Sequence, residues 1–308
     1  MRVLVTGGAG FIGSHIVEYY QDKADVIVLD NLRTGNRANL EGFDAEFVEG
    51  SILDCKLLQQ VMEGVDYVYH LAAMVSVPES VARPAECIEV NSKGTLNVLE
   101  AAATAGARKL SFSSSAAVYG ERPENPKTET LPPDPRSPYA VTKLSGENLC
   151  HMFAATGRLP TVSLRYFNVY GPRQDPNSAY AAAIPAFISR ALQNEALTIF
   201  GDGLQTRDFI YVKDVVAANV HACTETPETG VFNVARGESL TINDLTTTVK
   251  RVTGSRCEIK HGPPRPGDVR FSEGANDKIR KTGFTPAVAL QDGMQQTVRH
   301  FTQEQGCP

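Results

Sequence analysis

Short apolar runs alternate with amphipathic stretches through the first half of the chain. Val3-Leu4-Val5, Val26-Ile27-Val28-Leu29, Val65-Asp66-Tyr67-Val68-Tyr69-His70, Leu110-Ser111-Phe112 and Thr161-Val162-Ser163-Leu164-Arg165 read as strands, with Ala45–Val48 as a shorter one. Between them, Phe11, Ile12, Ile16 and Val17 share one side of a helix, and residues 57–63 and 138–156 are also predicted helical. Residues 91–105 carry Leu96, Val98, Leu99 and Ala102 at helical spacing, whereas 120–136 hold five prolines and read as a surface loop. Such alternation predicts right-handed crossovers and an α/β fold with a doubly wound parallel sheet covered on both faces.

After Gly171 the texture changes. Residues 172–183 look irregular, followed by a helix over 185–194, a strand Leu197–Phe200 and the turn Gly201-Asp202-Gly203. Phe209–Val212, a helix to Cys223 and Val231–Val234 are expected to return to the first domain, while the tail holds a helix over 241–253 and a loop His261–Asp268. The pattern predicts a large domain of residues 1–170 and 208–236 and a smaller, discontinuous α/β domain of 171–207 and 237–308, with the cleft between them as the expected site.

The first strand runs into Thr6-Gly7-Gly8-Ala9-Gly10-Phe11-Ile12-Gly13-Ser14. Gly7, Gly10 and Gly13 suit a tight bend, a close approach of backbone to a pyrophosphate, and close packing of helix on sheet. The helix N-terminus adds free N–H groups and the positive dipole end. The second strand ends in Asp30, about 20 residues on, where a carboxylate can accept bonds from ribose hydroxyls. These features predict a Rossmann-type dinucleotide site. Asp30 would repel a 2′-phosphate, so NAD is favoured over NADP; Arg33, in a polar loop with Asn31, Thr34 and Asn36, is the residue that could accommodate such a phosphate. Asp54 follows the third strand and is expected to reach the adenine, and Leu71-Ala72-Ala73 gives a flat cofactor small residues to lie on.

Bulk properties narrow the partners. A net charge of −5 offers no footprint for nucleic acid or an anionic membrane. No apolar stretch reaches the ~18 residues of a membrane span. Arg2 and the following apolar run resemble a signal peptide, but the glycine turn already consumes them. Six cysteines without a C-x-x-C pair predict reduced thiols in a cytoplasmic protein and no metal site.

Tyr139 and Lys143 lie four apart near the start of a predicted helix, hence on one face. Tyr19 and Lys23 share that spacing with nothing upstream to support them, and read as solvated surface. Tyr139 differs because Ser113-Ser114-Ser115 closes a strand at the same cleft edge, so Ser115, Tyr139 and Lys143 can converge on one hydroxyl. A tyrosine base needs its pKa brought from ~10 to ~7, or ~4 kcal/mol. One cation ~4 Å away supplies roughly that at an effective dielectric near 20; Lys143 is one such charge and an oxidised nicotinamide another.

With these residues the sequence resembles the extended short-chain dehydrogenase/reductases, and within them the UDP-hexose 4-epimerases. The resemblance rests on the glycine turn, Asp30-Asn31, His70-Leu71-Ala72-Ala73, Ser113 to Gly120, and Tyr139-Ala140-Val141-Thr142-Lys143. It continues through Arg165 to Gly171, Thr206-Arg207-Asp208-Phe209 and Arg265-Pro266-Gly267-Asp268, in order along nearly the whole chain. It implies NAD held by Gly7, Gly10, Phe11, Ile12, Gly13, Asp30, Asn31, Asn36, Asp54, Leu71, Ala72, Ala73, Asn91, Ser113, Tyr139, Lys143 and Tyr166. For a UDP-sugar it implies Ser76, Ser115, Tyr139, Asn168 at the pyrophosphate, backbone at Ala183, Thr198 and Phe200 near the uracil, Arg207 and Arg265 on the phosphates, and Asp268 on the ribose. Taken alone, each arginine would more commonly serve a surface ion pair, and Phe200 is equally a buried strand-end side chain. Ser272, seven residues after Arg265, is similar to the family position beside the sugar's carbon 2, where a small residue admits an N-acetyl group; the alternative is a solvent-facing loop residue.

The resemblance implies oxidation at carbon 4, rotation of the keto sugar and re-reduction, on UDP-N-acetylglucosamine and also UDP-glucose, in a homodimer paired through helices near 91–105 and 139–156. Two other readings stand beside it. Related dehydratases and decarboxylases place an acidic residue or an Asp-Glu pair after the strand-end serine or threonine; here Ala116-Ala117 follows Ser115. Binding proteins that sense the dinucleotide dispense with the Tyr/Lys pair, which this chain keeps.

Overall fold

The computed structural model describes residues 1–176, 183–264 and 269–304. Its strands are β1 (Arg2–Thr6), β2 (Asp25–Asp30), β3 (Glu46–Glu49), β4 (Tyr67–His70), β5 (Lys109–Ser115), β6 (Thr161–Tyr166), β7 (Asn168–Tyr170), β8 (Leu197–Phe200), β9 (Thr206–Tyr211), β10 (Gly230–Val234), β11 (Ser239–Thr241), β12 (Ile259–Gly262) and β13 (Phe271–Ser272). Seven of them form a parallel sheet in the order β10-β6-β5-β4-β1-β2-β3. The chain leaves β1 for β2 and β3 on one side and returns to β4 on the other, which opens a crevice at the C-terminal strand ends. The register brings Thr6 beside His70 and Ser115 beside Tyr166 at that edge.

Both faces of the sheet are covered, as its near-continuous apolar strands require. Helices α1 (Phe11–Tyr20), α2 (Cys55–Val61), α3 (Val77–Ala82), α4 (Pro84–Ile88), α5 (Gly94–Ala105) and α6 (Pro138–Ala155) precede β6. Leu4, Leu29, Leu58, Val98, Leu99, Phe112 and Phe153 form the core on one face, and Val3, Val5, Ile16, Val17, Val28 and Tyr69 that on the other. A separate core joins Ile184, Ile188, Leu197, Ile199, Tyr211, Leu245, Met294 and Phe301, and Phe11 and Ile12 of the glycine turn pack against it.

Several expectations change. β9 centres a second sheet, between β11 and β13 with β7 also on it, and β10 joins the large one. The helix after β9, Val212–Val220, does pack on the large sheet through Val216 and Val220. Pro78 and Pro84 start two short helices, α3 and α4, that periodicity alone does not show, and a π-helical turn at Glu89–Lys93 precedes α5. His261 and Gly262 pair with β8 instead of looping. A terminal helix, Leu290–Glu304, closes the described chain.

Candidate active site

A cleft of about 970 Å³ opens at the C-terminal edge of the large sheet. Gly7 has φ +73°, and a Cβ there would lie 2.7 Å from the Ala72 nitrogen. At Gly13 a Cβ would run into the Gly7 carbonyl and lie 2.8 Å from Gly8 Cα, so α1 rests directly on the turn. Gly10 is the N-cap of α1 and offers no side chain to block an approaching phosphate. This cradle, which side chains would fill, fits a dinucleotide.

The cleft brings together Gly7, Gly10, Phe11, Ile12, Gly13, Asp30, Asn31, Asn36, Leu71, Ala72, Ala73, Ser113, Tyr139, Lys143 and Tyr166. Asp30 braces the turn, accepting from the Ala9 nitrogen at 3.0 Å and the Leu32 nitrogen at 2.8 Å. Burial pushes its carboxyl up, against the pull of those two N–H groups. Asp54 is not on the wall: its Oδ1 caps α2, accepting from the Lys56 and Leu57 nitrogens, and Ser51 and Ile52 line the cleft there. Asn91 acts from behind that wall. Its amide accepts from the Met74 nitrogen at 2.7 Å and donates to the Met74 carbonyl at 3.0 Å, fixing the segment that follows Ala73.

Ser137 caps α6, and Pro138 takes its first turn, which sets Tyr139 and Lys143 at the cleft end of the helix. Lys143 Nζ donates to the Ser113 carbonyl at 2.7 Å, and Ser115 hydrogen-bonds to the Tyr139 phenol. The lysine nitrogen lies 5.7 Å from the tyrosine ring centre. Burial lowers Lys143 to about 8 and raises Tyr139, the Ser115 bond opposing the latter. The lysine alone therefore does not bring the phenol near neutrality, and the positive nicotinamide is the second charge the chemistry needs.

Two buried networks hold this edge. Thr95 donates to the Asn91 carbonyl at 2.6 Å, so His70 Nε2 donates to Thr95 Oγ1 at 2.9 Å and Nδ1 accepts from Thr6 Oγ1 at 2.7 Å. That single tautomer is neutral, and burial, with the Lys143 charge, lowers His70 to about 3. One turn along α6 from Lys143, Glu147 accepts from Arg165 at 2.8 and 2.7 Å and from Ser114 at 2.5 Å, locking the helix to β5 and β6. Neither His70 nor Glu147 was singled out for a role by sequence reasoning, because their partners lie far apart in the chain.

Apart from Tyr139, the residues expected on the substrate side lie outside the wall of this cleft. Asn168 donates to the Asp208 carbonyl at 2.8 Å, which leaves one amide N–H for a ligand. Arg207 is held by the Thr206 and Val269 carbonyls at 2.7 and 2.6 Å, and Ser272 pairs with it in the β13–β9 register. Thr198 and Phe200 are half-buried on β8, Ala183 starts the helix Ala183–Leu192, and Ser76 caps α3 by accepting from the Glu79 nitrogen. Arg265 and Asp268 lie outside the described residues. Arg173, Gln174, Asp175 and Pro176 line the cleft without having been expected there. Among the described residues no helix is long and apolar enough to cross a membrane.

Comparison with known proteins places this geometry. The model of the NAD dependent epimerase/dehydratase family matches residues 3–235. The UDP-N-acetylglucosamine 4-epimerase of Methanobrevibacter ruminantium, solved with UDP-N-acetylmuramic acid, superposes with a TM-score of 0.95 at 41% identity, covering 98% of each chain. The UDP-glucose 4-epimerase of Thermotoga maritima with UDP-glucose gives 0.95 at 41%, covering 99% of this chain and 100% of that one. The UDP-glucose 4-epimerase of Thermus thermophilus with NAD gives 0.90 at 40%, covering all of both chains.

Proposed function

The chain belongs to the NAD dependent epimerase/dehydratase family, and on that premise we propose that it is a UDP-sugar 4-epimerase interconverting UDP-N-acetylglucosamine and UDP-N-acetylgalactosamine, with UDP-glucose and UDP-galactose also accepted. The observation that carries the reading is Tyr139 and Lys143 together on the wall of a dinucleotide cradle, with Ser115 on the phenol and alanines following it. Ala116 and Ala117 open the 3-10 turn after Ser115, whose hydroxyl accepts from the Ala117 nitrogen, so the two positions after the serine offer no acid or base for dehydration.

Gly7, Gly10, Gly13, Asp30 and the 71–73 wall would hold NAD, which when bound supplies the hydride acceptor and donor for carbon 4. Tyr139 takes the proton of the 4-hydroxyl while Ser115 orients that hydroxyl. Lys143, fixed on Ser113, stabilises the phenolate electrostatically. The 4-keto sugar would then turn about its diphosphate linkage so that carbon 4 presents its other face for the returning hydride, while Tyr139 gives the proton back to the 4-oxygen. Asn168, Arg207, Arg265 and Asp268 are proposed to hold the UDP moiety meanwhile.

The solved neighbours divide between the two sugars, so the N-acetyl preference rests on Ser272, half-buried beside Arg207. Residues 1–170 with 208–236 are proposed as the NAD domain and 171–207 with 237–308 as the UDP-sugar domain. The homodimer is supported by an apolar face on α6, where Val141 and Met152 are 48% and 43% exposed. Five free cysteines among the described residues support a reducing, cytoplasmic setting. Assaying UDP-N-acetylglucosamine and UDP-glucose side by side tests the reading: epimers of both, faster with the first, are expected, and loss of water or carbon dioxide, or no reaction, would refute it.

A further inference from the structure

Arg33 stands three residues past Asp30 and lines the cleft. An arginine at this place can receive a ribose 2′-phosphate. The structure shows its guanidinium already engaged from outside the nucleotide-binding turn. Nη2 donates to Glu79 on α3 at 2.8 Å, and Nη1 donates to Glu86 on α4. Arg83 bonds the same two carboxylates, Glu79 by one Nη and Glu86 by the other at 3.0 Å. Two guanidinium and two carboxylate groups thus close a ring between the loop after β2 and the short helices.

The ring cannot easily swing away with Arg33. Ser80, one residue after Glu79, accepts from the backbone nitrogen of Tyr139 at 3.2 Å, so α3 is moored to the catalytic helix. As partly exposed ion pairs these contacts add little stability. Their charge is another matter. Glu79 and Glu86 offset Arg33 and Arg83, and Asp30, on the same cleft wall as Arg33, adds a third negative group against the two positive, so these side chains sum to a net negative charge.

We propose that Glu79 and Glu86 are specificity-determining residues that withhold Arg33 from a ribose phosphate, so that α3 and α4, together with Asp30, exclude NADP. The inference rests on the dinucleotide reading of the cleft. Removing both carboxylates leaves one negative group against two positive ones, and frees Arg33 to turn toward the cleft it already lines.

The test is a competition. Protein stripped of dinucleotide is equilibrated with equal concentrations of NAD and NADP, and the bound nucleotides are released and quantified by chromatography. Wild type is expected to hold NAD almost exclusively. Glu79→Gln/Glu86→Gln is expected to raise the bound NADP:NAD ratio about tenfold, the scale of one charge pair at partly screened distance. Adding Arg33→Gln to the double variant should return the ratio to that of wild type. A ratio unchanged in the double variant, or equally raised in the triple, would overturn the proposal. If the double variant does not fold, Glu86→Gln alone carries the test with an expected rise of about threefold. Wild type that binds neither dinucleotide would instead sink the reading of the cleft itself.

Discussion

Lys143 donates to the carbonyl oxygen of Ser113 at 2.7 Å, so its charge is anchored to the end of β5 and not to the tyrosine it serves. The 5.7 Å from its nitrogen to the Tyr139 ring centre is near enough for electrostatic help and too far for a direct bond. In the proposed reaction this leaves the Tyr139 phenol, which Ser115 bonds, for the substrate hydroxyl.

Tyr139→Phe removes the proton acceptor and keeps the ring. Folding and dinucleotide content should survive, and turnover should fall by ~10²–10⁴-fold, the usual weight of a general base. Steady-state rates on well-folded protein check this; a loss of only a few-fold would remove Tyr139 from the role.

Burial holds Lys143 at about 8, so its ammonium is lost as pH rises through that value. The rate should therefore bend downward on the alkaline side near 8. Lys143→Met should be slower by ~10²-fold or more and lack that bend. The same lowered pKa makes the unfolded chain bind more protons between about 8 and 10.5, so this group's contribution to stability grows with pH across that window.

Glu147→Ala leaves the Arg165 guanidinium buried without its countercharge, each side chain of the pair being 4% exposed in the native protein. Breaking such a pair from one side costs ~3–5 kcal/mol. Urea denaturation should show that loss, and a change below ~1 kcal/mol would mean that the pair does not lock α6 to the sheet.

Ser272→Tyr places a phenol where the acetyl group is proposed to sit. Overpacking costs ~1–3 kcal/mol, roughly 10- to 100-fold in rate, against UDP-N-acetylglucosamine, with UDP-glucose largely spared. Kinetics on the two sugars decide: equal losses, or none, take Ser272 out of the specificity position.

The large sheet was legible because parallel strands buried on both faces write continuous apolar runs, and because the glycine turn leaves room for one architecture. Asp30, the three glycines and Tyr139/Lys143 line the cleft for the same reason: their positions follow from strand ends and helical spacing. The cap made by Asp54 was not legible, because a carboxylate just after a strand serves a helix N-cap as readily as a ligand, and the local sequence does not separate the two. The sheet that β9 joins was not legible, because an apolar strand does not announce its pairing partners. The Arg33–Glu79–Glu86 ring and the Thr6–His70–Thr95 chain were invisible, since each depends on residues brought together only by tertiary structure.

The central claim is a reversible oxidation at carbon 4 that returns the same hydrogen to the sugar. The purified protein, without added dinucleotide, should be incubated with UDP-N-acetylglucosamine in D₂O and the sugar products read by NMR. The account predicts UDP-N-acetylgalactosamine whose carbon 4 retains its original protium, with no net accumulation of reduced dinucleotide. Deuterium at carbon 4, loss of water or carbon dioxide, or absence of the epimer would contradict it.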